Sequence, residues 1–264
     1  MEPAEGARSF LTTGDAYDAF MGRYSRELSG RFVDATGVVA GNRALDVGCG
    51  PGALTGALVD RVGAGGVSAV DPSPPFVATC ELRHPGVRVR LGRAEDLPFG
   101  DAEFDVALAQ LVLHFVTDPE LAARELRRVV RPGGIVAACM WDFADGMEML
   151  RHFWDAALSV DPTAPDELRA LRFGRQGEIA GLFEAAGLDD IEETMLTVHS
   201  TYADFEELWS GFLAGIGPAG TFCVSLSDEQ RAAVRAELFA RVGSPDGSFG
   251  LAAMARSARA RVPG

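Results

Sequence analysis

A short apolar strand that runs into a glycine-rich turn restricts the fold of this chain more than any other feature. The segment LDVGCGPGAL places Asp46 at the strand end, Gly48, Gly50 and Gly52 in the turn, and a helix directly afterwards. Glycines allow the backbone to approach a ligand closely, and the start of a helix presents unpaired N–H groups. The segment is therefore predicted to be a ligand-binding strand–turn–helix unit.

Alternation of strands and helices around this unit predicts a parallel sheet with helices on both faces. The alternating patterns along the first half of the chain are RALDVG, ALTGALVDRV, GVSAVD, PPFVATCELR, VRVRLG, FDVALAQ, ELAARELRRVV (ended by RPGG) and IVAACMW. Beyond them, residues 145–188 are predicted to form helices with breaks at DPTAP and FGRQG, EETMLTVHS to be a strand, and ADFEELWSGFLAG and SDEQRAAVRAELFARV to be helices. The alternating tail SFGLAAMARSARARV predicts a last strand, antiparallel and at the sheet edge.

The basic residues and the net charge exclude several classes of function. All 24 basic residues are Arg, and the 264-residue chain contains no Lys. This excludes chemistry that needs a lysine amine, such as Schiff bases, the P-loop and the Tyr-x-x-x-Lys base of many dehydrogenases. The net charge of −14 leaves no overall basic surface of the kind that binds nucleic acid. Nucleic acid is therefore not expected as a partner.

Neither a membrane segment nor a metal site is expected. The sequence has no run of eighteen apolar residues, and its start, MEPAEGARSF, lacks the basic and apolar regions of a secretory signal. We therefore expect a cytoplasmic protein with no membrane partner. The spacing of its cysteines and histidines predicts neither a metal centre nor a disulfide framework. These residues are Cys49, Cys80, Cys139, Cys223, His84, His114, His152 and His199.

An acidic residue after the second strand indicates the kind of ligand. Asp71 ends VSAVD and would lie beside the glycine turn, where a carboxylate can accept hydrogen bonds from two ribose hydroxyls. Together these features predict an adenosine-containing ligand, either S-adenosylmethionine or a nicotinamide dinucleotide. Asp46 lies inside the pattern D-x-G-x-G-x-G, where it would attract a methionyl ammonium and repel a pyrophosphate. S-adenosylmethionine is therefore the favoured ligand.

Further motifs carry a family resemblance. With GRAEDLPF after the third strand, then FDVALAQLVLHFV and LRRVVRPGGIVAACMW, the chain resembles the class I S-adenosylmethionine-dependent methyltransferases, and in particular the small-molecule group called methyltransferase type 11. The segment YDAFMGRYSR is similar to the N-terminal lid of a bacterial subgroup. The resemblance covers nearly the whole chain. It implies a Rossmann-like, doubly wound α/β fold with a seven-stranded, mostly parallel sheet in a single domain. Within it, residues 1–37 would form the lid helices, 38–142 the cofactor-binding core, and 143–264 a helical elaboration.

The resemblance also implies the cofactor-binding residues. Asp46 would anchor the methionine amino group, and Asp71 would hold the ribose. Relatives carry an acid where this chain has Arg93, which cannot accept a hydrogen bond from the adenine amino group, so Glu95 or a backbone carbonyl would replace that contact. The full set is Asp46, Gly48, Cys49, Gly50, Gly52, Asp71, Pro72, Ser73, Ala94, Glu95 and Gln110.

The segment after the fourth strand bears on the acceptor and on catalysis. AQLVLH stands where nucleic-acid methyltransferases carry Asn/Asp-Pro-Pro-aromatic or Pro-Cys, which disfavours both of those classes. His114 is the candidate general base for an acceptor that must lose a proton. The alternative is that His114 is a core or capping residue.

Aromatic residues are the candidates for an acceptor pocket. They would come from the lid and the C-terminal elaboration, although aromatic residues at helical spacing are also typical of a core. Arg23 and Arg26 would either pair with the cofactor carboxylate or face solvent. The candidate pocket residues are Tyr17, Phe20, Met21, Tyr24, Trp141, Trp209 and Phe212.

The sequence thus predicts an enzyme that transfers a methyl group from S-adenosylmethionine to a small organic molecule, with no metal. Two alternatives stay open. One is a non-catalytic protein that binds S-adenosylmethionine or S-adenosylhomocysteine, and the other is an NAD(P)-dependent oxidoreductase. The absence of Lys and the position of Asp46 count against the oxidoreductase. The acceptor, the atom methylated and the oligomeric state are left open.

Overall fold

A computed structural model describes residues 21–166 and 172–264. Along the chain the elements are α1 (Arg23–Thr36), β1 (Ala44–Val47), α2 (Ala53–Val62), β2 (Val67–Asp71), α3 (Pro74–Arg83), β3 (Arg88–Leu91), β4 (Phe104–Gln110), α4 (Pro119–Val129), β5 (Val130–Trp141), α5 (Glu148–Val160), α6 (Glu178–Ala185), β6 (Asp189–Tyr202), α7 (Phe205–Leu213), α8 (Gly217–Ser225), α9 (Asp228–Arg241) and β7 (Phe249–Arg261).

The strands form one seven-stranded mixed sheet in the order β3-β2-β1-β4-β5-β7-β6. The pairs β1–β2, β1–β4, β2–β3 and β4–β5 are parallel. Every residue of β1 and β2 is buried, as their continuous apolar runs predict for strands covered on both faces. The predicted doubly wound α/β fold is confirmed. Because β2 and β4 lie on opposite sides of β1, the strand order reverses at β1, and its carboxyl end is where such sheets bind ligands.

The last strand pairs antiparallel as predicted, but its predicted place at the sheet edge is wrong. Gly133 donates to the carbonyl of Val262, and Asp142 donates to that of Met254, so the partners of β5 descend along β7. β7 lies between β5 and β6, and β6 forms the edge. The reason is visible in the side chains. β7 carries small residues at its buried positions, whereas β6 begins with DDIEE, and charges of this kind suit a solvent-exposed edge.

β5 begins earlier than the sequence predicts. The RPGG segment, which was expected to separate the helix from the strand, is part of the strand itself. A Cβ placed on Gly134 would lie 2.6 Å from the carbonyl oxygen of Asp105, so this glycine allows two backbones to approach closely. The pairing with β4 shifts register between Phe104 and Val106. The glycines therefore form an irregular start to β5.

The chain divides into two compact units. The sheet unit comprises Ser25–Met140, Arg172–Leu196 and Ala255–Gly264. The described residues of the helical unit are 21–24, 141–166 and 197–254. The division into lid, core and elaboration differs from these units and stays a prediction.

Each unit has its own apolar core. In the sheet unit, side chains from β1, β4 and β5 pack with α4 and α6 around residues such as Leu45, Leu126 and Phe183. In the helical unit, α9 packs on α5, α8 packs on α7, and Phe153 stacks on Phe212 with ring centroids 4.2 Å apart.

Among residues 21–166 and 172–264, no single helix is both long enough and apolar enough to cross a membrane. Taken together, the two helices Phe205–Leu213 and Gly217–Ser225 are long and apolar enough for a broken span by length and composition alone, and they are bent by 85° where they meet.

Candidate functional site

The turn after β1 needs glycine for both conformational and steric reasons. Gly48, Gly50 and Gly52 have φ angles of 73°, 51° and 100°, in the left-handed region that favours glycine. A Cβ on Gly48 would lie 2.4 Å from a methyl carbon of Val112. The N–H groups of Gly48, Gly50 and Gly52 are all hydrogen-bonded within the protein. The turn is therefore held in place, and its glycines allow a ligand to approach the backbone at the carboxyl end of β1.

Asp71 links the glycine turn to the end of β2. Its side chain is buried, with one carboxylate oxygen accepting from the N–H of Gly50 at 2.9 Å and the other from the N–H of Ser73 at 2.8 Å. Burial raises the pKa of Asp71, and the two N–H donors oppose that rise. Each oxygen keeps a further lone pair, so the carboxylate can also accept from ribose hydroxyls. Ser73 is half-buried beside it and Pro72 is exposed.

Asp46 is buried beneath the turn. It is 1% exposed and accepts a hydrogen bond from the hydroxyl of Thr55 at 2.6 Å. Burial raises the pKa of Asp46 to about 7. A ligand ammonium beside it would restore the ionised form, so this carboxylate fits the predicted role of amino-group anchor.

This pKa makes cofactor affinity dependent on pH. Only about a tenth of Asp46 is ionised at about pH 6, compared with about nine-tenths at about pH 8, and the ammonium selects the ionised form. We therefore expect S-adenosylhomocysteine to bind about tenfold more weakly at the lower pH. Titration calorimetry across this range measures the effect. Asp46→Asn is the control and is expected to bind weakly with no such slope; an equal slope in that variant would contradict the assignment.

Asp46 also makes the stability of the cofactor-free protein depend on pH, in the opposite direction to cofactor affinity. The pKa of Asp46 is raised from 3.8 to about 7, so between these values the folded state binds more protons than the unfolded state. The free energy of unfolding therefore falls as pH rises through that window. Thermal melts of wild type and Asp46→Asn should diverge as pH rises from about 4 to about 7 and stay a constant distance apart above it, with the variant more stable.

Gln110 presents a buried acceptor at the end of β4. Its side-chain nitrogen donates to the carbonyl of Ser25 at 3.1 Å and to the hydroxyl of Ser29 at 3.0 Å. Its Oε1 is buried and has no hydrogen-bond partner among residues 21–166 and 172–264. An unpaired buried acceptor is costly, and a ligand N–H would satisfy it. This atom fits the predicted contact with the methionine end of the cofactor.

Arg93 contacts Glu95 within the sheet unit. The Glu95 carboxylate accepts from the N–H of Thr117 at 2.8 Å and from the Arg93 guanidinium at 3.3 Å. Burial acts to raise the pKa of Glu95, but hydrogen bonds from backbone N–H groups and from Arg93 outweigh it, and the pKa is lowered. Ala94 packs against the core of the sheet unit. Contacts of Ala94 and Glu95 with adenine stay a prediction.

His114 is a weak base in this structure. Its ring lies 3.7 Å from that of Phe115, centroid to centroid, and desolvation lowers the pKa of His114 to about 3. A general base works best when its pKa is near the operating pH. The catalytic role of His114 stays a prediction, and its environment argues against it.

Replacement of His114 distinguishes the two roles. With an identified acceptor, we expect His114→Gln to keep turnover within about threefold of wild type, because an imidazole of such low basicity takes up little charge. Initial rates at saturating cofactor measure this. A loss of about 100-fold or more, recovered at high pH, would instead show that His114 is the base.

The candidate acceptor residues lie in the helical unit, except for Tyr17 and Phe20, which are outside the described residues. Tyr24 and Trp141 are buried in edge-on contact, with centroids 6.3 Å apart. Trp209 is also buried and packs against Phe212, while Met21 is half-buried. Their role in an acceptor pocket stays a prediction.

Arg23 is bound by side chains of the helical unit. Its guanidinium forms an ion pair with Glu207 and lies 4.5 Å from the centre of the Tyr202 ring. The Tyr202 hydroxyl lies 3.1 Å from that of Tyr24, and burial raises the pKa of both tyrosines. Arg23 is thus held by protein groups, whereas Arg26 is exposed.

Four residues of the site were not predicted from the sequence. Thr55 holds Asp46, and Ser25 and Ser29 hold Gln110. His84 lies beneath the turn, with its Nε2 2.9 Å from the carbonyl of Gly52. Spacing of four residues on one helix was a usable signal for the serines, but nothing local to His84 points to Gly52.

In the part of the chain that the structure describes, no group of three or more histidine, cysteine, aspartate or glutamate side chains is arranged to hold a metal ion. All four cysteines are free thiols.

The strand order of the sheet reverses at β1, and a glycine turn with an acid at the end of the next strand follows it. These two features together are typical of nucleoside-binding α/β proteins. Residues 45–138 match the methyltransferase type 11 family, whose description is Methyltransferase domain. The malonyl-[acyl-carrier protein] O-methyltransferase of Dechloromonas aromatica is 30% identical over 76% of this chain and 72% of its own length. The chain belongs to the class I S-adenosylmethionine-dependent methyltransferases, and S-adenosylmethionine is the cofactor of that family.

Other comparisons agree on family and fold. The nocamycin O-methyltransferase of Saccharothrix syringae is 29% identical over 84% of this chain and 85% of its own length. A solved structure, the phosphoethanolamine N-methyltransferase 2 of Haemonchus contortus with phosphomonomethylethanolamine and S-adenosylhomocysteine, shares the fold with a TM-score of 0.56. It is 17% identical, over 97% of this chain and 61% of that one. Against the first curated relatives, the chain spans between 36% and 46% of their length.

Proposed function

We propose that this chain is an enzyme that transfers the methyl group of S-adenosylmethionine to a small organic acceptor. The observation that carries the proposal is the glycine turn of the sheet unit, with the carboxylates of Asp46 and Asp71 beside it and the unpaired Oε1 of Gln110 at the end of β4. An acceptor oxygen and a carboxylate suit the ammonium of the cofactor, and a second carboxylate suits its ribose.

Little chemistry is required of the protein beyond binding and alignment. When bound, the cofactor supplies a methyl group already activated by a positively charged sulfur. Asp46 and the Oε1 of Gln110 would hold the methionine ammonium, and Asp71 would hold the ribose hydroxyls. The glycine backbone would allow close approach, and apolar side chains around the turn would exclude water. A proton acceptor is needed only for an acceptor that is protonated at the reacting atom.

Two observations support a small acceptor, and a third bears on the atom that is methylated. The net charge of −14 opposes binding to a polyanion. The sequence after β4 lacks the motifs of nucleic-acid methyltransferases. The two curated relatives described above are both named as O-methyltransferases, which favours an oxygen nucleophile. We infer a cytoplasmic enzyme that acts on a carboxylic acid, phenol or enol, with neither nucleic acid nor membrane as partner.

An acceptor screen tests the proposal. Release of S-adenosylhomocysteine is measured with panels of carboxylic acids, phenols, enols and amines, on wild type and on Asp71→Ala. We expect turnover with at least one oxygen acceptor, and a loss of it in the variant. Tight cofactor binding with no turnover across all panels would favour the non-catalytic alternative, for which the low basicity of His114 is the supporting observation.

A further inference from the structure

Two thiols lie in one small buried cluster beneath the glycine turn. Cys49, the middle residue of Gly48-Cys49-Gly50, is 5% exposed, and Cys80 on α3 is fully buried. The two share a small buried cluster with Ala69 of β2. A Cβ placed on Gly52 would lie 3.2 Å from the sulfur of Cys80, so this sulfur packs directly against the turn. The pair therefore lies directly beneath the cofactor site.

A chain of hydrogen bonds connects Cys80 to Asp46. The Cys80 thiol donates to the hydroxyl of Thr55 at 3.6 Å, and that hydroxyl donates to the Asp46 carboxylate at 2.6 Å. A proton leaving Cys80 thus has a path to a carboxylate. Interaction with the Cys49 thiol also lowers the pKa of Cys80, although burial opposes it.

We propose that Cys49 and Cys80 are a modification site at which a peroxide forms a reversible disulfide in the cofactor-free protein, and that this disulfide weakens cofactor binding. The proposal rests on the cofactor site described above. Its geometric basis is the buried cluster that the two cysteines share and their position directly under the turn.

The reaction balances with peroxide as the oxidant. The proton of Cys80 passes through Thr55 to Asp46, and the Cys80 thiolate attacks one peroxide oxygen. The O–O bond breaks, a sulfenic acid forms on Cys80, and the leaving hydroxide takes the proton from Asp46 to become water. The sulfur of Cys49 then attacks that of Cys80, and the S–O bond breaks. The departing hydroxide takes the Cys49 proton, so two thiols are oxidised and the peroxide is reduced to two waters.

The disulfide would distort the turn, and the cofactor would in turn hinder the disulfide. An S–S bond of about 2.05 Å is shorter than any non-bonded sulfur contact, so Cys49 must move towards α3. That movement strains the bond from the N–H of Cys49 to the carbonyl of Val70, and the adjacent bond from Gly50 to Asp71. A bound cofactor would cover Cys49, and its ammonium would make Asp46 a poorer proton acceptor.

The test exposes reduced wild type to hydrogen peroxide with and without saturating S-adenosylhomocysteine. Disulfide formation is followed by intact mass, as a loss of about 2 Da, and by non-reducing peptide mapping. Affinity for S-adenosylhomocysteine is measured before oxidation, after it, and after dithiothreitol. We expect a Cys49–Cys80 cross-linked peptide, an affinity at least about tenfold weaker that recovers on reduction, and formation at least about tenfold slower with ligand present.

Matched variants separate this site from general oxidation. Cys80→Ala, or Cys80→Ser if the first does not fold, should bind S-adenosylhomocysteine before peroxide and keep that affinity after it. Cys223→Ala, which removes a buried thiol of the helical unit, should behave like wild type. Absence of the cross-linked peptide, or an equal loss of affinity in the Cys80 variants, would overturn the proposal. Failure of reduced wild type to bind the ligand would contradict the cofactor site instead.

Discussion

Asp71→Ala is expected to weaken S-adenosylhomocysteine binding by at least about 100-fold. The Asp71 carboxylate has two roles, because it fixes the N–H groups of Gly50 and Ser73 and keeps lone pairs for the ribose. The substitution removes charge-assisted hydrogen bonds to the ligand and also releases the turn. Titration calorimetry measures the loss.

Two control variants make that result specific. Asp71→Asn keeps the shape and one acceptor oxygen, so its affinity should fall less than that of Asp71→Ala. Asp60→Ala removes an exposed acid from α2 with the same change in net charge, and it should bind like wild type. If Asp71→Ala and Asp60→Ala bound equally well, Asp71 would have no part in the cofactor site.

Gly48→Ala is expected to be the most damaging small substitution in the turn. Its methyl group would lie 2.4 Å from Val112, at a φ of 73° that side chains rarely adopt. Overpacking and backbone strain together cost about 2–4 kcal/mol, which corresponds to a fall in Tm of about 5–10 °C. Because Val112 or the turn must move, binding of S-adenosylhomocysteine should also be lost. Thermal melts and calorimetry measure the two effects.

Gly41→Ala is the matched control for backbone strain. Gly41 has a φ of 90°, and no atom of the described residues lies within 4 Å of the Cβ it would gain. It should cost only about 1 kcal/mol and leave binding intact. Equal falls in Tm for the two variants would show that the contact with Val112 is unimportant.

The central sheet was predictable because its strands carry strong local signals. VSAVD and FDVALAQ are short apolar runs bounded by turn residues, and their burial on both faces follows from that pattern. The position of β7 was not predictable in the same way. Its partners, Gly133 and Asp142, are more than one hundred residues away along the chain, and no local pattern states which strand a late segment joins.

The residues of the candidate site also divide into those that local sequence predicts and those that only tertiary packing brings to the site. Asp46, Asp71 and Gln110 end strands, and the carboxyl ends of parallel strands meet at one edge of a sheet, so their grouping follows from the sequence. Cys80 and His84 come to the turn from the other direction, through the packing of α3. These two residues reach the turn only through tertiary packing, so their spacing from the glycines in the sequence does not predict the contact.

Environment was the least predictable property. His114 lies just beyond β4 in the sequence, at a position that suits a base, but only the structure shows that desolvation lowers its pKa to about 3. Trp141 and Trp209 were equally consistent with a pocket or a core, and both are buried. Sequence gives the positions of such residues, whereas basicity and exposure depend on everything packed around them.

The most direct test of the central claim, that the turn after β1 binds an S-adenosyl cofactor, is titration calorimetry of the wild-type protein with S-adenosylhomocysteine and, separately, with NADH. We expect S-adenosylhomocysteine to bind at one site per chain and NADH to give no binding heat. Binding of NADH alone, or no binding of S-adenosylhomocysteine by the reduced protein, would contradict the claim.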